Sequence, residues 1–175
     1  EVDFNTIEAA AFANPTPIPV NVSKAADVLT YVTTGNIANA AGTIYVEANS
    51  LIPIASSPGN RFIVGYQAGG ETPIYFNAVS LKARIYDGTN DVAAGSVVSA
   101  YAGIHKMATS WAGTTASAVN DGGTVGTGSY DGTLGITSVG IGLSNSSTSD
   151  WFGTIRNVRI YSVALTSDQL QTLTT

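Results

Sequence analysis

The sequence predicts an all-β sandwich of two antiparallel sheets, preceded by an extended arm and closed by a short helix. Three observations carry this reading. Short β-branched and aromatic runs recur along the chain, separated by Gly, Asn, Asp and Ser, the pattern of many strands joined by tight turns. Charged residues make up only 11% of the chain and glycines number 19. The chemistry of a helix start is legible once, near the C-terminus.

Residues 1–19 read as an arm or linker, because Asn14-Pro-Thr-Pro-Ile-Pro19 places three prolines where neither helix nor central strand tolerates them. Residues 20–175 read as one domain, long enough to bury a full core. Strands are predicted over 26–33, 42–48, 61–67, 72–77 and 81–87. Others follow over 96–101, 103–111, 115–120, 136–143 and 151–164. In Thr43-Ile-Tyr-Val-Glu47 the alternation sends Ile44 and Val46 inward, Tyr45 and Glu47 outward. His105 shares a face with Met107, Thr109 and Trp111; that face is read as the inner one, with the imidazole hydrogen-bonded near the strand's start and Trp111 in the core. Asp121-Gly122 suits a hairpin turn. At the end of the chain, Thr166 stands three residues before Gln169 as in a capping box, and Leu165 and Leu170 flank it as a hydrophobic staple.

A net charge of -5 with seven Lys and Arg scattered singly offers no basic patch for nucleic acid and no polybasic stretch for an anionic membrane. No apolar run approaches the roughly 18 residues that suggest a membrane span. The absence of cysteine excludes disulfides, Cys-ligated zinc and a thiol nucleophile. A start at Glu1 reads as a matured chain or a piece of a longer one.

The closing segment from Gly153 to Thr174, a strand running into a capped helix, resembles the C-terminal signature of concanavalin A-like, laminin-G-like jelly-roll domains. Ser23-Lys-Ala-Ala-Asp-Val-Leu-Thr30 is similar to the opening strand of bacteriophage virion proteins that carry such domains, although Lys24 stands where Arg is commoner. Gly42 to Glu47 resembles their second strand, and Ala102 to Trp111 with Ser117 to Gly123 resemble their paired strands and hairpin. The likeness runs from about residue 17 to 174, with an undistinctive middle between Leu51 and Ser99. It implies a concanavalin A-like jelly roll and a non-enzymatic virion surface protein: a fibre, tail-tip or capsid-decoration module. Its partners would be host-surface glycans and other virion proteins, its place the virion surface, its state a homo-oligomer. Two other readings stay open. One is a purely structural assembly protein whose arm docks on a neighbour; the other is a glycan-cleaving hydrolase or lyase of the same fold.

For catalysis, Glu1-Val-Asp-Phe-Asn-Thr-Ile-Glu8 starts like the Glu-x-Asp-x-Glu run of β-glucan hydrolases. Its second Glu is seven residues on, an odd step that points the two carboxylates to opposite strand faces. Glu47 and Glu71 read as isolated. His105, the sole histidine, has no Gly-x-Ser-x-Gly elbow beside it and cannot form a His-rich metal site. Asp87, Asn90 and Asp91 surround a glycine as a Ca²⁺ loop could, while the same residues make a good hairpin turn. No other cofactor is expected. Sugar binding needs exposed rings and planar polar groups on loops. The residues offering these are Tyr130 with Asp131, Trp151 with Asn145 and Asp150, and Tyr66 with Gln67. Trp151 also reads as a plug for the end of the sandwich.

Overall fold

The computed structural model describes residues 29–32, 37–38, 40–50, 61–66, 74–77, 80–86, 91–93, 103–130, 138–142, 151 and 153–175. The predicted arm and the strand predicted over 96–101 lie outside them. The described strands are β1 (Leu29–Val32), β2 (Ala41–Ser50), β3 (Arg61–Tyr66), β4 (Ile74–Asn77), β5 (Ser80–Tyr86) and β6 (Asp91–Ala93). They continue with β7 (Ile104–Ala112), β8 (Thr115–Asn120), β9 (Gly126–Ser129), β10 (Ser138–Ile141) and β11 (Gly153–Tyr161), and α1 (Ser167–Thr174) ends the chain. A six-stranded sheet runs β1-β10-β3-β4-β5-β6 and a five-stranded sheet runs β11-β2-β7-β8-β9. Neighbouring strands are antiparallel throughout. β6 and β9 escape the sequence reading, since Gly126-Thr-Gly-Ser129 carries no β-branched apolar residue to mark it.

The core fills the space between the sheets. Ile44, Val46 and Ala48 of β2, Met107 and Trp111 of β7, and Ala116 and Ala118 of β8 meet Ile63, Val64, Ala83, Ile85 and Val139 from the facing sheet. Trp111 lies within this core as expected, its indole N–H donating to the Ala38 carbonyl at 2.9 Å. Its ring lies against Gly42, where any Cβ would collide with it, so the β2 position opposite Trp111 requires glycine. The Asn120 carboxamide oxygen accepts from the Ala83 N–H at 3.1 Å, a hydrogen bond that ties β8 to β5 across the sandwich. Asp121 and Gly122 both have positive φ (46° and 65°), and Gly123 N–H donates to the Asn120 carbonyl. This is the primed hairpin turn anticipated from Asp-Gly.

Tyr45 and Glu47 point outward as the alternation predicts, but the outer face of the five-stranded sheet is not all left to water. They point away from the inter-sheet core, yet they are only 2% and 8% exposed. Over Tyr45 the covering element is α1, whose Leu170 packs on Tyr45, Ala108 and Val119, with Leu165, Leu173, Val125 and Tyr161 around them. Both halves of the capping box form: Thr166 Oγ1 accepts from Gln169 N–H, and Gln169 Oε1 accepts from Thr166 N–H. Leu165 and Leu170 share one apolar cluster, as a staple requires. Polar bonds fix both ends of the helix to the sheet. Thr43 Oγ1 donates to the Val163 carbonyl and accepts from Leu165 N–H. At the far end Lys106 Nζ donates to the Thr175 carbonyl, and Gly122 N–H donates to Thr174 Oγ1.

Candidate functional site

The polar chemistry on this outer face follows from one irregularity. Arg156 and Arg159 are three apart, and on a regular strand they would face opposite ways. Between them β11 is bulged, with Arg156 opposite Glu47 and Arg159 opposite Tyr45. Asn157 absorbs the extra residue at φ 51°, in the left-handed region that Asn tolerates better than most side chains. The bulge puts both arginines on the outer face and turns Val158 against the inter-sheet core.

A network results. Arg156 Nε donates to Glu47 Oε2 at 2.7 Å, and the Tyr45 hydroxyl donates to Glu47 Oε1 at 2.8 Å. Arg159 lies 5.5 Å from the centre of the Tyr45 ring, within cation–π range. The hydrogen bond from Tyr45, with those from Asn157 and Arg156, holds the Glu47 carboxyl below its ordinary range, against the opposing effect of burial. Burial first, then the bond to Glu47, pushes the Tyr45 phenol far above its usual value. Glu47, read as isolated in the sequence, is therefore a fixed carboxylate. A residue held in that form at neutral pH is a poor proton donor.

Beside the network, and not covered by α1, Ala48, Asn49, Ile104, Thr154 and Arg156 line a shallow cavity of about 130 Å³. Asn49 Oδ1 accepts from Gly103 N–H, which holds the start of β7 against the end of β2. At the opposite edge of the same strand, His105 Nδ1 and Asp121 Oδ2 are 2.9 Å apart, and Asp121 Oδ1 accepts from Lys106 N–H. The histidine is thus tied near the strand's start, as read from the sequence, by the turn that follows β8. Its role there is to brace a hairpin.

Of the sugar-binding residues named from the sequence, Tyr130 and Trp151 are those whose side chains are described. Tyr130 is 2% exposed and belongs to the inter-sheet core, so its ring has no free face for a pyranose. It directly follows β9, where its N–H donates to the Thr114 carbonyl, and continued alternation turns it inward. Trp151 is half-buried against the same core, and its backbone N–H donates to the Gly142 carbonyl, linking the end of β10 to the start of β11. That is the plug position. Tyr66 pairs with Val139 through its backbone at the end of β3. Gln67, Asp131, Asn145 and Asp150 lie outside the described residues, as do Asp87 and Asn90 of the Ca²⁺ loop and the Glu1 to Glu8 run. Tyr86 of β5 pairs with Asp91 of β6. Among the described residues no group of three or more His, Asp or Glu is gathered as metal ligands would be.

Arg156, Asn49, Thr154 and Ile104 were not singled out in the sequence. The available signal was Asn157, a turn-favouring residue inside a β-branched run, which marks a bulge and hence two arginines on one face.

Comparison with known proteins agrees with this architecture. Residues 28–171 match the family Laminin_G_3, described as the concanavalin A-like lectin/glucanases superfamily. A comparison with curated protein sequences returned no match. Among solved structures, the chain resembles the CBM40 domain of the Ruminococcus gnavus IT-sialidase bound to α2,6-sialyllactose. There the TM-score is 0.59 and the identity 15%, over 79% of this chain and 85% of that one. The same domain bound to α2,3-sialyllactose gives a TM-score of 0.58 at 14% identity, over 79% and 84%. Trypanosoma rangeli sialidase in complex with 2,3-difluorosialic acid gives 0.56 at 19% identity, over 77% of this chain but 22% of that one. At these identities the likeness is one of fold. The family match spans most of the sequence, and with the two-sheet sandwich it shows that the chain belongs to the concanavalin A-like lectin/glucanase family.

Proposed function

We propose that this domain is a non-enzymatic carbohydrate-binding module displayed on the surface of a bacteriophage virion, where it engages host-surface glycans. The observation that carries the binding reading is the lectin-family sandwich itself, matched over residues 28–171 and similar along most of its length to a CBM40 domain holding sialyllactose. The engagement of Glu47 and Asp121 supports binding over cleavage by these two acids. Glu47 is locked as a carboxylate by Tyr45 and Arg156, and Asp121 is engaged by His105 and the Lys106 N–H. Glycoside hydrolysis needs two carboxyl groups flanking one bond, one of them protonated. The virion setting, the association with other virion proteins and a homo-oligomeric state rest on the motif order from Ser23 to Leu173 that resembles phage surface proteins.

The test is a bacterial-glycan array probed with the purified chain, once in Ca²⁺ and once in EDTA. Selective, saturable binding is the expected result, and its loss in EDTA would make the Asp87 to Asp91 loop a metal site. A folded protein that binds nothing in either buffer would overturn the reading in favour of a purely structural assembly role.

A further inference from the structure

The cavity lined by Asn49, Ile104, Thr154 and Arg156 combines features that together select a ligand class. Its volume of about 130 Å³ exceeds the roughly 10–15 Å³ needed for one water. It falls short of the roughly 300 Å³ at which pockets begin to enclose a whole small molecule. It fits the edge of one sugar residue.

Arg156 is the chemical centre. Its side chain is 57% exposed and is held by a single bond, from Nε to Glu47. That bond orients the guanidinium plane and leaves the Nη edge unbonded among the described residues, the planar fork that matches a carboxylate. Thr154 is exposed, and Asn49 uses only its oxygen toward Gly103, so a hydroxyl and an amide nitrogen remain beside the fork. Ile104 is 51% exposed, one of two large apolar side chains so placed among the described residues. It supplies an apolar surface for the C–H face of a ring. The local field has the matching sign. Although the chain carries a net charge of -5, three of its seven cations, Lys106, Arg156 and Arg159, share this face with Glu47.

We propose that this cavity is a subsite for a carboxylate-bearing sugar residue of the uronic acid class. Arg156 receives the carboxylate, Thr154 and Asn49 bind the neighbouring hydroxyls, and Ile104 packs under the ring. The proposal rests on the glycan-binding reading and adds to it a location and a charge.

Calorimetric titration of the full chain with methyl glycosides of glucuronic and galacturonic acid, their methyl esters and the neutral parent sugars tests it. The acids should bind at least tenfold more tightly than the esters. Arg156→Gln should weaken the acids tenfold or more, and Arg159→Gln, farther along the same face, by less than about threefold, with that loss screened by salt. Thr154→Val, at an exposed position that bears no core contact, provides a second variant and should weaken them about three- to tenfold. Acids bound equally well by Arg156→Gln and Thr154→Val would overturn the site and leave glycan binding standing. Neutral sugars bound as tightly as acids would overturn the ligand class alone. No sugar bound by the parent chain would overturn this proposal together with the reading beneath it.

Discussion

At the scale of single residues, two positions decide more than their size implies. Gly42 exists as glycine because the Trp111 ring occupies the space of its side chain. Gly42→Ala should cost about 1–3 kcal/mol, the usual range for overpacking a core, read as a lower denaturant midpoint with an unchanged slope. Glu47 carries the pH dependence. Its folded pKa lies below the ordinary value, so the stability it contributes is complete above the unfolded value of about 4.3 and is lost as pH falls through the folded one. Glu47→Gln should lower stability by a nearly constant amount from neutral pH upward and flatten the profile below pH 5, so that variant and parent converge in acid, as urea melts from pH 3 to 8 would show. The sequence displayed Tyr45 and Glu47 as outward residues, which they are. It did not display the helix that covers Tyr45, because that contact joins positions more than 120 apart in the chain.

At the scale of elements, α1 was the most legible feature, since its start is encoded locally by Thr166, Gln169 and the flanking leucines. Most of its stabilisation is tertiary: eight residues make a marginal helix in isolation. Leu170→Ala, which empties the space over Tyr45, Ala108 and Val119, should cost about 2–5 kcal/mol. Thr166→Ala should cost only about 1 kcal/mol. Thermal melts of both variants check the order, and a larger loss from the cap would contradict it. The strands rich in Ile, Val and Trp were legible by the same local logic. The glycine-rich β9 was not, because its pairing with β8 is fixed by the Asp121-Gly122 turn and not by its own side chains. The bulge at Asn157 belongs to this class as well. It rearranges which residues share a face, and so it sets Arg159 on the side of Arg156, where alternation alone would oppose them.

For the whole molecule, fold and site were unequally readable. Two sheets, their antiparallel order and the closing helix follow from repeated local patterns that each carry a little information and agree. A binding site is a convergence of a few side chains from distant strands. For the proposed subsite, β2, β7 and β11 must stand side by side before Asn49, Ile104 and Arg156 become neighbours. Tyr130 shows the reverse case, since an aromatic residue in a glycine-rich stretch has the composition of a sugar platform and the burial of a core residue.

The central claim, that this sandwich binds glycans without cleaving them, is tested most directly by one NMR titration that follows protein amides and sugar resonances together. The expected result is saturable shifts confined to one surface patch, unmoved amides at Ile44, Met107 and Trp111 in the core, and a glycan spectrum unchanged over a day. New reducing-end or unsaturated-sugar signals, or no saturable shift with any glycan that the array offers, would contradict it.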